Sequence, residues 1–148
     1  MEIDFALCLP REGSSVPVVR HICGDALRTL GVEDECIDDI ELAVTEACTN
    51  VLDHAAGHDD EYEVTFSVSN DRVIIKITDE GVGFDHSSPR PQSELSAESG
   101  RGIILMSTLV DDLRFVSKPD AGTIVHLEKM LDLKGDSILR EMSPTARG

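Results

Sequence analysis

With 148 residues, the chain has the length of one domain and enough material for a proper core. Apolar residues make up 41 %, but aromatics only 3 % with no Trp, so that core must be aliphatic. A net charge of −16 argues against a nucleic-acid backbone as partner and suits either solubility alone or a basic protein partner.

The four cysteines, Cys8, Cys23, Cys36 and Cys48, lie 15, 13 and 12 residues apart, with no CxxC pair and no His nearby at ligand spacing. Most sit among apolar residues and read as reduced core thiols, which points to a cytoplasmic protein. The acidic start "MEIDF" and the lack of any apolar run near 18 residues argue against a signal peptide or a membrane span. There is no internal repeat.

The opening stretch Ile3 to Leu9 alternates and predicts a strand closed by Pro10. Ser14 and Ser15 suit the cap of a helix with Pro17 in its first turn; it runs through Ile22, Ala26 and Leu27 and stops at Gly31. A longer helix is expected over residues 34–56, with Ile37, Ile40, Val44, Ala47, Val51 and Ala55 as its core stripe and Gly57 ending it. Two strands follow, Tyr62 to Val68 and Val73 to Thr78, joined by a turn at Asn70-Asp71.

Residues 85–99, "DHSSPRPQSELSAES", are rich in Ser and Pro without periodicity and predict a mobile loop. A short apolar helix is expected in "GRGIILMSTLV". Leu113 to Ser117 and Thr123 to Lys129 predict a last hairpin, and the tail from Gly135 to Gly148 reads as weakly ordered. The order βααββαββ implies an α/β two-layer sandwich, a mostly antiparallel sheet with its helices on one face.

Three motifs carry chemistry. On the second helix Glu46, Asn50 and His54 recur every fourth residue and drift by about 40° per step, so they form one polar stripe away from the core line. A solvated face explains such a stripe, but Asn is a poor helix former and needs a reason in mid-helix. At the end of the "RVIIKI" strand stands "TDEGVGF". Asp79 there is a carboxylate able to accept from an exocyclic amine, and Gly81 and Gly83 let a flat ring lie against bare backbone. In "SGRGIILM", Gly100 and Gly102 open a helix whose first amides lack internal partners, as a phosphate cradle requires.

In this order the three resemble the Bergerat-fold (GHKL) ATP-binding superfamily of gyrase-type ATPases and histidine kinases. "EACTNVLDHA" is similar to its N box, "DEGVGFD" to its first glycine box and "GRGIILM" to its second, with coverage from about Phe5 to Lys129. No residues remain for the phosphoacceptor helix pair of a histidine kinase, or for the further domains of a gyrase-type ATPase. The stand-alone domain with "ELAVTEACTNVLDHA" and "GRGIILMSTLVDDLRF" is most similar to the bacterial anti-sigma factor serine kinases.

That resemblance implies a role for each matching residue. Asn50 is expected to hold Mg²⁺ and Glu46 to act as general base toward a serine hydroxyl. Asp79, supported by Thr123 through a water, is expected to accept from the adenine amine beside Gly81 and Gly83. Gly100, Arg101, Gly102 and Ile103 are expected to present amides to the phosphates of ATP or ADP, and the Arg101 side chain to reach the γ-phosphate. Residues 85–99 become an ATP lid inside a domain spanning residues 1–134. His54 is placed near phosphate by its position, with a structural polar role equally open, and Asp53 is a surface charge.

The implied partners are a sigma factor and a STAS-type anti-anti-sigma protein phosphorylated on serine, with no nucleic acid, no membrane and a homodimeric state. A different class also fits: a non-catalytic ATP-dependent binding module that controls its partner through lid closure. The presence of Glu46 favours the kinase, because a pure binder has no need of a base.

Overall fold

The computed structural model describes residues 2–54, 61–79, 97–118 and 122–142. The chain order is β1 (Glu2–Pro10), α1 (Ser15–Thr29), α2 (Asp34–His54), β2 (Glu61–Ser69), β3 (Arg72–Asp79), α3 (Ala97–Leu109), β4 (Asp112–Lys118), β5 (Gly122–Met130) and α4 (Ile138–Met142). The strands form one five-stranded sheet in the order β1-β2-β3-β5-β4, antiparallel throughout. The expected order and the two layers are both present; among the described residues α4 is the one added element.

Strand alternation decides which face is covered. On β2 the buried residues are Tyr62, Val64, Phe66 and Val68, and on β3 they are Val73, Ile75 and Ile77. On β5 they are Val125 and Leu127. The alternate positions Thr65, Ser67, Lys76, His126 and Glu128 are polar and more exposed, so one face of the sheet is left to solvent. Helix α2 lies across β3 and β5 between α1 and α3. Its stripe Ile37, Ile40, Val44, Ala47 and Val51 is fully or almost fully buried.

Asn70 takes a left-handed φ of 56° in the two-residue turn between Ser69 and Arg72. Asn tolerates that conformation better than most residues, so the turn forms without the Asn-Gly pair.

Two expectations are corrected. Ser14 makes no side-chain cap to α1; instead the Ser15 hydroxyl donates to the Glu12 carbonyl and pairs with the buried Tyr62 hydroxyl. The packed chain also continues past Gly135. Ser137 donates from Oγ to the Leu30 carbonyl at 2.6 Å, accepts from the Leu139 amide at 3.2 Å, and carries Leu139 into the core. An isolated bridge between Val32 and Leu133 fastens the same segment to the α1–α2 turn.

Gly31 makes that docking possible. Its φ is +83°, and a Cβ there would stand 2.7 Å from Ser137 Cα. We expect Gly31→Ala to cost at least about 1 kcal/mol and to loosen residues 131–142 first. Hydrogen exchange at Leu139 checks this, and unchanged protection there would refute it.

All four cysteines are reduced; Cys8 is exposed and the other three are buried. Burial, with Glu41 nearby, pushes the Cys23 thiol from its ordinary 9.0 up to about 12. Burial, with Cys23 nearby, does the same for Cys48. Burial also raises the Tyr62 hydroxyl from 10.0 to about 12. In the unfolded chain these groups ionise at their ordinary values, so above pH 9 it releases protons that the folded chain retains. The stability they contribute is complete below pH 9 and is lost as the pH climbs toward 12. Urea midpoints taken across that window are expected to fall steadily. At neutral pH, native alkylation is expected at Cys8 alone.

Candidate functional site

Polar groups enter the core at one end of the sheet. Asp79 and Thr123 continue the inward-facing series of β3 and β5, are registered opposite one another, and are fully buried. Alternation accounts for this, since Asp79 follows Val73, Ile75 and Ile77 at a period of two, and Thr123 precedes Val125 and Leu127. Asn50, on the neighbouring face of α2, is 4 % exposed. Of the polar stripe, Asn50 is therefore not on a solvated face, and Glu46 is half-buried one turn before it on the same side of the helix.

The Asn50 amide nitrogen is buried and has no hydrogen-bond partner among the described residues. Leaving such a donor unsatisfied costs about 1–3 kcal/mol unless something else accepts from it. Glu46 makes no hydrogen bond or ion pair among the described residues either.

One residue that the motifs do not include joins the site. Arg11, directly after Pro10 at the end of β1, donates from Nη1 to Asp79 Oδ2 at 3.1 Å. Its Nη2 donates to the Leu52 carbonyl at 3.0 Å and reaches the Val51 carbonyl at 3.5 Å. These two carbonyls belong to the last turn of α2, where helix geometry leaves acceptors without internal donors and the dipole favours a cation. The Arg11 and Asp79 side chains are 10 % and 1 % exposed, so this is a buried pair. Nothing in local spacing links residues 11 and 79, and no motif flags the arginine.

At the other end of the site the helix boundary differs from expectation. α3 starts at Ala97, inside the stretch read as loop, so Gly100 falls at the end of its first turn and Arg101, Gly102 and Ile103 lie beyond. Ser and Pro content suggested a loop through Ser99, but both prolines lie at 89 and 91, and Ala97 and Glu98 are good helix formers. The amides of Arg101, Gly102 and Ile103 are thus at positions that a helix satisfies internally. Gly81 and Gly83 fall outside the described residues, as does the segment 85–96 of the expected lid. The backbone of His54 ends α2.

A second cluster lies on the outer sheet face, where the ligand atoms of Asp112, His126 and Glu128 are within 4.8 Å of one another. Arg114 pairs with Asp112 at 3.0 Å and Arg72 with Glu128 at 3.4 Å, so cations already balance both carboxylates.

The fold is thus one antiparallel sheet roofed on one face by helices, with a buried Asn, Asp and Thr at one end. Residues 9–129 match the histidine kinase-like ATPase domain, and the chain belongs to that family. It is 33 % identical over 135 residues to the serine-protein kinase RsbW of Halalkalibacterium halodurans, covering 84 % of this chain and 82 % of that one. It is likewise 33 % identical over 134 residues to the serine-protein kinase RsbW of Bacillus licheniformis, with 83 % and 82 % covered.

Among solved structures, the RsbU and RsbW domains of a Mycobacterium tuberculosis protein superpose with a TM-score of 0.66 at 18 % identity. That match covers 87 % of this chain and 32 % of the other, so this chain spans about a third of that structure. The histidine kinase domain of a blue-light activated kinase from Erythrobacter litoralis gives a TM-score of 0.52 at 20 % identity, over 83 % and 62 % of the two chains. These two likenesses bear on the fold, which is of the Bergerat, or GHKL, type.

Proposed function

We propose that this protein is an ATP-dependent protein serine kinase that also acts as an anti-sigma factor. It would bind a sigma factor and phosphorylate a STAS-type anti-anti-sigma protein. The observation that carries the reading is the polar end of a mainly apolar core: Asn50, Asp79 and Thr123 are inside, with Glu46 one turn from Asn50. Among them the Asn50 amide nitrogen has no hydrogen-bond partner among the described residues, and such a donor is costly to bury unless something accepts from it. The kinase names of relatives about a third identical along most of their length support the same reading.

Each residue takes a specific role. Asp79 accepts from the exocyclic amine of adenine, Thr123 supports it, and Gly81 and Gly83 let the ring close on the backbone. Phosphates are received at the start of α3, where Gly100 stands. Arg101, Gly102 and Ile103 join only if the first turn of α3 shifts, because their amides otherwise stay within the helix.

The Asn50 side chain offers an amide oxygen of the kind Mg²⁺ takes, while its unpartnered amide nitrogen is a donor suited to a phosphate oxygen at the same site. Bound there on Asn50, Mg²⁺ would neutralise phosphate charge. Glu46 would take the proton from the substrate serine as its oxygen bonds to the γ-phosphorus. The bond from that phosphorus to the β-phosphate oxygen breaks, leaving phosphoserine and ADP. Residues 85–99 are proposed as the lid that excludes water from this step.

The three buried thiols support a reducing, cytoplasmic setting. No described helix is long and apolar enough to cross a membrane. The net charge of −16 supports a protein partner over a nucleic acid, and a homodimer belongs to the same reading. Affinity capture from native extract, once in Mg-ATP and once in Mg-ADP, tests it. Recovery of a sigma factor together with a serine-phosphorylated STAS protein is expected. Partners that follow the nucleotide without any phosphoserine would overturn the kinase.

A further inference from the structure

We infer that Arg11 is the positioning residue for base recognition, holding the Asp79 carboxylate in the attitude that selects a purine with a 6-amino group. The inference rests on the reading that Asp79 meets adenine.

The geometry is specific. A guanidinium is a rigid planar fork, and here its two terminal nitrogens serve different elements. Nη1 holds Asp79 Oδ2 at 3.1 Å on β3, while Nη2 holds the Leu52 carbonyl at 3.0 Å on α2. A carboxylate that could turn about its own bond is thereby referenced to the helix that carries Asn50 and Glu46. One plane fixes the base end of the site relative to the phosphate end. Arg11 also supplies a positive charge beside an acid that is 1 % exposed. It takes one of the roughly four acceptor positions of that carboxylate.

The role has consequences that a purely structural contact lacks. A residue that only holds the fold together would, when altered, weaken every nucleotide alike. A residue that orients Asp79 would change the discrimination between nucleotides that have the 6-amino group and those that lack it.

The experiment measures affinity for ATP and for purine riboside triphosphate, which lacks only that group, in the whole chain and in Arg11→Ala, Arg11→Lys and Asp79→Asn. The unaltered protein is expected to prefer ATP by about 10- to 150-fold, the worth of one hydrogen bond to a charged group. Arg11→Ala is expected to bring that ratio below about threefold, mainly by losing ATP affinity. Arg11→Lys keeps the charge and loses the fork, so it stays folded and still loses most of the preference. It carries the test if the alanine variant does not fold.

Full preference retained in Arg11→Lys, or equal weakening of both nucleotides, would overturn the inference. Asp79→Asn separates the two claims. If it abolishes the preference while Arg11 variants keep it, adenine recognition by Asp79 stands and the role of Arg11 falls. If it leaves the preference intact, the reading of Asp79 itself fails.

Discussion

Glu46→Ala is expected to keep ATP affinity within about twofold and to slow phosphoryl transfer to serine by about 10²- to 10⁴-fold, the usual worth of a positioned general base. The expectation follows from where α2 places the carboxylate. Glu46 is half-buried one turn from the buried Asn50, so it keeps some access to solvent. It is not one of the fully buried groups that line the base end. Nucleotide binding should therefore survive its removal, while proton transfer from the hydroxyl should not. A nucleotide titration beside a single-turnover phosphoserine assay separates the two, and unchanged transfer would remove Glu46 from the mechanism.

Asp79→Asn should do the converse, lowering ATP affinity by about 10- to 150-fold. Asn preserves the shape but replaces one acceptor oxygen with a donor. Its remaining oxygen can face either the Arg11 guanidinium or the adenine amine, so one donor is left against another whichever way the amide turns. The variant should also be less stable without ligand, because the buried guanidinium loses its counter-charge. Breaking such a pair costs up to about 3–5 kcal/mol. Calorimetric titration with ATP, run beside a urea curve, reads both effects. An unaltered nucleotide affinity would count against adenine recognition at this carboxylate.

Much of this could be read from the sequence because the governing patterns are short-ranged. The period of two along "RVIIKITD" and "GTIVHLEKM" determines which face of each strand is inward, and so buries Asp79 and Thr123 together once the strands pair. The 3.6-residue period of α2 determines its core stripe and, beside it, the line from Glu46 to Asn50.

What escaped was tertiary or local in chemistry. Arg11 meets Asp79 across 68 positions of sequence, and only the folded sheet brings the end of β1 beside the last turn of α2. Docking of Ser137 and Leu139 depends on the left-handed Gly31, a pairing that no periodicity announces. The start of α3 was hidden because a Ser- and Pro-rich average over 85–99 masked good helix formers at its end. Ser15 looked like a cap and proved to be the partner of a buried tyrosine.

The most direct test of the central claim is transfer itself: the purified chain, Mg²⁺, ATP labelled in the γ-phosphate, and the STAS-domain protein that co-purifies with it. The account predicts label on a serine of the STAS protein, lost in Glu46→Ala and formed in step with ADP. Tight ATP binding with no label on any protein would contradict it.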